Sequence, residues 1–263
     1  VFLQKIYIAG AGKQLSLATL MRTNWVEAMQ RKLRILIIED ETAIRTGLID
    51  VFVYHGYEVD FSGHGTEGLH KALTGNFDLV LLDVMLPGIN GFEICNRIRE
   101  QDRDLAIIML TAKSNDEDII EGLALGADDY VAKPFSVAQL VLRVQAVLRR
   151  TRALTAQTQK IQLGGQLEID CQNLTGLRGS ETLSFTRREI DILQYLQSNA
   201  ERPVSRDELL NKVWGYASHV ELETRTVDIH IAKLRRKIEQ DPAEPTLLIT
   251  VRGAGYRLVN TQL

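Results

Sequence analysis

The sequence predicts an α/β chain, a doubly wound five-stranded parallel sheet followed by a smaller α+β domain. Three observations predict it. From Leu33 onward, apolar runs and stretches of helical spacing alternate five times. Residues 79–82, LVLL, are apolar at every position without alternation, as a strand buried on both faces requires. Beyond residue 160 the pattern changes to short strands, then three helix-like segments and a glycine-turned hairpin.

In chain order, RILII at 34–38 is the first strand, and helical spacing follows over 42–54. A strand at 57–61 and a helix at 65–74 come next. The third strand, 79–82, runs into Asp83, after which Pro87, Gly88 and Gly91 turn the chain into a helix at 91–100. LAIIML at 105–110 is the fourth strand; a helix at 116–124, a strand at 129–132 and a helix at 136–150 complete the alternation. The polar stretch TRALTAQTQK, 151–160, reads as a linker. In the second domain, strands are expected at 161–163, 167–170, 174–178 and 182–184, and helices at 187–198, 205–213 and 223–239. The hairpin LLITVRGAGYRLV closes it, turned by Gly253 and Gly255. The division is therefore an extension at 1–32, a first domain at 33–150, the linker and a second domain at 161–263. Met29 is a natural start, so residues 1–28 read as upstream sequence; the alternative is a basic amphipathic helix at about 16–31.

Composition narrows the function. With 45% hydrophobic and 25% charged residues, the chain is of globular type. The first domain carries 11 Lys and Arg against 19 Asp and Glu, and the second 13 against 14, so a nucleic-acid surface must be a local cluster. Only Cys95 and Cys171 are present, without metal-ligand spacing, which disfavours a disulfide framework or a zinc site and fits a reducing cytoplasm. No apolar run approaches the ~18 residues of a membrane helix, and Lys5 and Lys13 interrupt any secretory signal.

Asp83 poses the central question, because a carboxylate at the end of a buried strand is costly to desolvate. It has company at the other strand ends. The first strand ends in Glu39 and Asp40, the fourth at Thr111, and the fifth at Lys133. In a doubly wound sheet these ends converge on the crevice at the topological switch point. Three neighbouring carboxylates repel unless a cation intervenes, and hard oxygen ligands suit Mg2+, leaving Lys133 and the Thr111 hydroxyl to hold a phosphoryl group. Taken singly, a strand-end Asp is usually a capping or turn residue and a strand-end Lys is usually solvated. Four such residues in register argue against coincidence.

On these residues, 33–150 resembles the receiver domain of two-component response regulators, a flavodoxin-like fold. The resemblance implies that Asp83 is the phospho-acceptor and that Glu39, Asp40, Asp83 and the backbone carbonyl of Met85 bind Mg2+. It also implies that Lys133 holds the phosphoryl group, before a Lys133–Pro134 bond that is commonly cis in the family. Thr111 and Tyr130 would form the switch, Tyr130 turning inward as Thr111 moves to the acyl phosphate. The implied donor is a sensor histidine kinase. The receiver would catalyse only its own Mg2+-dependent phosphorylation and dephosphorylation.

In the second domain, residues 224–238 have one apolar face, Val227, Ile231, Leu234 and Ile238. Opposite lie Arg225, Ile229, Ala232, Lys233 and Arg236, and the hairpin adds Arg252. A basic helix face is usually only solvated, but an isolated Ile229 among charges suits contact with a thymine methyl in promoter DNA. LSFTRREIDILQYL and VRGAGYRL, with this helix order, resemble the winged-helix effector domain of the OmpR/PhoB type. That resemblance implies DNA contacts by Arg225, His230, Lys233 and Arg235, with Arg252 in the minor groove. His230 also lies near the buried edge, where it would only pack, and Trp214 reads as core. The loop after Trp214 is where the family meets RNA polymerase.

The family also implies a homodimer on phosphorylation, through the fourth helix, fifth strand and fifth helix. Here Asp129 and Arg143 would be its specific tie, with apolar contact among Ile120, Leu123, Val141 and Leu142. Two other ion pairs of the family are replaced, by Ile119 with Gln139 and by Ala124 with Gln145. Two rival functions are less well supported. An aspartyl phosphatase commonly needs a second Asp two residues after the first, where this chain has Met85. A receiver that never takes phosphate usually lacks one of the five pocket residues kept here, Glu39, Asp40, Asp83, Thr111 and Lys133.

Overall fold

Apolar β-branched runs flanked by amphipathic helices leave the first domain few ways to bury its strands, and the doubly wound sheet is the one found. The computed structural model describes residues 31–111, 122, 123, 125–151, 160–216 and 225–259. Every element below lies in one compact unit, Arg34–Leu263. The expected N-terminal extension, apart from 31 and 32, lies outside the described residues, as does 152–159 of the expected linker.

The first sheet is β1 (Arg34–Ile38), β2 (Glu58–Ser62), β3 (Leu79–Asp83), β4 (Ala106–Thr111) and β5 (Asp129–Ala132), in the order β2-β1-β3-β4-β5. All its pairings are parallel. The central strands β3 and β4 are buried at every residue, which is why they lack alternation. Helices α1 (Thr42–Tyr54), α2 (Gly65–Thr74), α3 (Gly91–Gln101) and α4 (Val137–Thr151) cover the sheet. The helix expected at 116–124 is described only at Gly122, Leu123 and, just beyond, Leu125, all helical, so α4 is the fifth helix of the sequence reading.

The second domain opens with an antiparallel sheet, β6 (Lys160–Leu163), β7 (Leu167–Asp170), β8 (Thr175–Arg178) and β9 (Glu181–Ser184). Helix α5 (Arg187–Ser198) starts at a capping box in which Thr186 and Glu189 satisfy each other's backbone donors. The helix expected at 205–213 is α-helical only at α6 (Arg206–Leu209), then widens into a π-helical turn, Leu210–Trp214. Gly215, at φ +77°, ends it, and Tyr216 N donates back to Leu210 O. The wider turn delivers Trp214 wholly into the core. Helix α7 (Arg225–Ile238) and the hairpin β10 (Leu248–Val251) with β11 (Gly255–Leu258) complete the fold. At Gly255, φ is +121° and a Cβ would come within 2.0 Å of the Val204 carbonyl oxygen, so only glycine lets the hairpin bridge to Val204.

His230 is only 2% exposed, its ring edge-on to Trp214 at 5.2 Å. Its Nδ1 donates to the Thr226 carbonyl at 2.9 Å. Burial, only partly opposed by that bond and reinforced by Lys233 and Arg188, lowers its pKa to about 4. A folded pKa below the unfolded value of 6.5 means that this stability is complete above pH 6.5 and is lost as pH falls toward 4. The loss should reach about 3 kcal/mol by pH 4. His230→Phe should show a shallower fall in urea midpoint between pH 7 and 4.5 than the parent chain. Parallel curves for the two proteins would assign the acid loss elsewhere.

Candidate phosphorylation site and nucleic-acid interface

Four strand ends build the pocket. Glu39 and Asp40 follow β1, Asp83 is the last residue of β3, Thr111 the last of β4, and Lys133 follows β5. The register aligns them, since Asp83 pairs with Leu110 and Thr111 with Ala132. Lys133 Nζ donates to Glu39 Oε2 at 2.7 Å and to Asp83 Oδ2 at 2.9 Å. Glu39, Asp83 and Thr111 are all buried, whereas Asp40 is exposed. The backbone N–H of Met85 donates to Asp83 Oδ1 at 3.2 Å, which places that peptide at the pocket rim. The Lys133–Pro134 bond is cis.

The electrostatics follow from one ammonium between two carboxylates. Burial, the largest cause, and the charge of Asp83 push Glu39 up to about 7 against the pull of Lys133. Burial draws the Lys133 pKa down, but its bonds to Asp83 and Glu39 outweigh that and raise it. The group is short of positive charge, which is the condition a divalent cation relieves. Ligand oxygens of Glu39, Asp40 and Asp83 lie within 4.8 Å of one another, and an all-oxygen set fits Mg2+. Tyr130 is half-buried in β5 against the cluster that holds Phe92 and Leu125.

The second domain presents its expected DNA surface unevenly. Arg236 and Arg252 are exposed, the latter at the hairpin tip, and Arg225 is half-exposed. Ile229, expected at base edges, instead packs against the first domain's core cluster. Lys233 pairs with buried Glu189 at 3.3 Å and reaches the Leu123 carbonyl at 3.5 Å. Arg235 is committed to the hairpin, donating to Leu248 O and Thr250 Oγ1, both at 2.8 Å. His230 is a correction: placed among DNA contacts by resemblance, it is a packed core residue, because the kink at Trp214 brings an indole over it.

The expected dimer residues are also redistributed. Ile120 lies outside the described residues, and Leu123 is buried in the first domain's core. Val141 and Leu142 line a groove of about 650 Å³ with Val51 and Tyr54 of α1, on the shoulder of α4 that faces α1. Arg143 holds Asp129 at 2.6 Å within the chain, and the Tyr216 hydroxyl donates to the same Asp129 oxygen. The sequence reading missed Tyr216, Asp128 and Arg188 as contacts between domains. The doubled acid of GADDY and the aromatic pair of KVWGY were their only local signals.

Residues 35–145 match the family Response regulator receiver domain, and residues 179–258 match Transcriptional regulatory protein, C terminal. This chain is a two-component response regulator of the OmpR/PhoB type. Among its relatives is the Response regulator ArlR of Staphylococcus haemolyticus, 44% identical over 225 residues that cover 84% of this chain and 97% of that one. The Probable transcriptional regulator ycf27 of Cyanophora paradoxa is 40% identical over 235 residues, 88% of this chain and 98% of that one. Solved structures of two RitR mutants, 29% and 28% identical, superpose with TM-scores of 0.66 and 0.67 over 87% of this chain and 100% of theirs. The response regulator is thus a phosphorylation-controlled transcription regulator rather than an enzyme of metabolism. Among the described residues, no helix is long and apolar enough to cross a membrane.

Replacing Lys133 by Met would leave Asp83 and Glu39 facing each other unopposed. Breaking a buried pair costs about 3–5 kcal/mol, so the metal-free variant should melt several degrees lower. Added Mg2+ should raise the melting temperature of Lys133→Met more than that of the parent. Equal gains in both proteins would show that the lysine and the metal site are independent.

Proposed function

We propose that Asp83 is the phosphoryl acceptor of this response regulator and that Glu39, Asp40, Asp83 and the Met85 carbonyl hold Mg2+. The observation that carries this reading is the single ammonium of Lys133 bridging Asp83 and Glu39 at the sheet's switch point, with Thr111 at the neighbouring strand end. Bound Mg2+ would supply neutralisation of charge on the transferring phosphoryl group. An Asp83 carboxylate oxygen attacks the phosphorus of a phosphohistidine on the sensor kinase. The new O–P bond forms as the N–P bond breaks, and its electron pair returns to the imidazole. Lys133 moves from the free carboxylate to a phosphoryl oxygen, and the Thr111 hydroxyl donates to another. Tyr130 then turns toward the space that Thr111 vacates.

The output is sequence-specific binding of promoter DNA in the cytoplasm. Helix α7 enters the major groove with Arg225, Ile229, Lys233 and Arg236, and the hairpin brings Arg252 to the minor groove. The phosphorylated chain pairs with a second copy, with Asp129 and Arg143 as the polar tie, and the loop after Trp214 meets RNA polymerase. Mg2+ is the one cofactor of this scheme.

Asp83→Ala should abolish labelling by phosphoramidate or a phosphorylated sensor kinase in Mg2+, since Glu39, the other carboxylate that shares Lys133, serves the metal in this scheme and not as acceptor. Stoichiometric label on the variant would sink the assignment. Arg252→Ala should weaken binding to every DNA and reduce the slope of log K against log salt by about one unit, if it meets phosphate. Loss confined to A·T-rich sites would instead mark a narrow-groove contact, and no loss at all would remove the hairpin from the interface.

A further inference from the structure

Helix α7 and the hairpin β10–β11 are tied to each other at three levels of the helix. In its first turn, Asp228 Oδ1 accepts from the Tyr256 hydroxyl of β11 at 2.5 Å and from Arg206 Nε of α6 at 2.6 Å. Arg206 Nη2 donates in turn to the Tyr256 hydroxyl oxygen at 2.9 Å. In the last turn, Arg235 donates to Leu248 O and Thr250 Oγ1, both at 2.8 Å, with its guanidinium 5.8 Å from the Tyr256 ring centre. Just past the helix, the Glu239 side chain accepts from the backbone N–H groups of Thr246, Leu247 and Leu248 at 3.0, 3.0 and 2.7 Å. The Thr246 hydroxyl donates to it as well, at 3.3 Å. From Asp228 to Glu239 the ties span about 16 Å of helix. Glu239 is only 4% exposed, and both of its oxygens face donors. A carboxylate, which only accepts, suits that setting; an amide would turn its NH2 against a backbone N–H.

We propose that Glu239 is a positioning residue for DNA binding, which with Tyr256 and Arg235 fixes the hairpin to α7 as one body and so aims Arg252 before DNA arrives. The proposal rests on the groove readings of α7 and Arg252 given above. A two-stranded hairpin is marginal by itself, so its anchorage decides where its tip lies. Arg252 sits in that tip, in a turn closed by Ala254 N donating to Val251 O at 2.9 Å, and therefore follows the strands. The strands are held on their other side too, since Tyr256 and Val204 exchange backbone hydrogen bonds at 2.9 and 2.8 Å. A tip already in place spares the complex the cost of ordering it on binding. Glu239 itself is negative, as DNA is. Neutralising it would by charge alone tighten binding, so a weaker complex marks position and not charge.

The test is a double-mutant cycle on the full chain, with beryllofluoride and Mg2+ throughout and a DNA fragment selected in vitro with the parent protein. Glu239→Gln keeps the shape and spoils the acceptor pair. It should weaken binding about tenfold where Arg252 is present, the usual weight of a hydrogen bond to a charged group, and less than about twofold in the Arg252→Ala background. It should also reduce the slope of log K against log salt by about one unit, as Arg252→Ala does, with no further fall in the double variant. Tyr256→Phe removes the hydroxyl tie to Asp228 and keeps the buried ring. It should cost about threefold, again only with Arg252 present. Should Glu239→Gln fail to fold, Tyr256→Phe decides alone. Losses of equal size with and without Arg252 would show a merely structural role and overturn the proposal, and so would binding as tight as the parent's in both variants. Failure of the groove reading is separable: Arg252→Ala by itself would then bind the fragment as the parent does, and the proposal would fall with that reading.

Discussion

Lys133 stands between Asp83 and Glu39, and much of the receiver's architecture follows from the need to bury those two carboxylates beside one ammonium. A charge at the end of a fully buried strand is tolerable only where an opposite charge arrives from another strand at the same level. The parallel sheet supplies that level, because its strands all end on one side and its register aligns β3, β4 and β5. One lysine is still too little for two buried acids, and Glu39 carries the imbalance in its raised pKa. That residual deficit of positive charge is what suits the pocket to Mg2+ and a phosphoryl group.

A second constraint is geometric. The effector domain reaches the receiver through an abrupt end to its second helix, where the π-helical turn and Gly215 throw Trp214 and Tyr216 toward Asp128 and Asp129. Gly215 is at φ +77°, a conformation that side chains rarely adopt, and a Cβ there would crowd Ala146 at 3.3 Å, so the turn that brings the two domains together favours glycine. The same aromatic pair does two jobs: Trp214 fills the winged-helix core, and its indole N–H serves the partner domain. Core packing and domain contact are therefore not independent in this protein.

The strands were legible because burial on both faces writes an unbroken apolar run, and the pocket because four chemically matched residues fall at four strand ends. The reading of α4 was only half legible. Leu140, Val144, Val147 and Leu148 mark the face that meets the sheet, but the shoulders beside that face look alike in sequence. Arg143 took one shoulder and Val141 with Leu142 the other, toward α1. His230 was ambiguous for the same reason, lying at the border between the apolar stripe and the basic face of α7.

What the sequence by itself determined is what repeats locally: the order of strands and helices, the strand-end carboxylates with their lysine, and the basic helix ahead of a glycine-turned hairpin. These are carried by periodicity and by residue types that tolerate few other settings. Only the tertiary structure decided which surfaces meet. Tyr216 on Asp129 and Arg187 on Asp104 join residues 87 and 83 positions apart, and Ile229 joins a whole cluster of the receiver. No local pattern specifies such a pairing, because each partner alone is an ordinary surface residue and the fit exists only when both domains are folded.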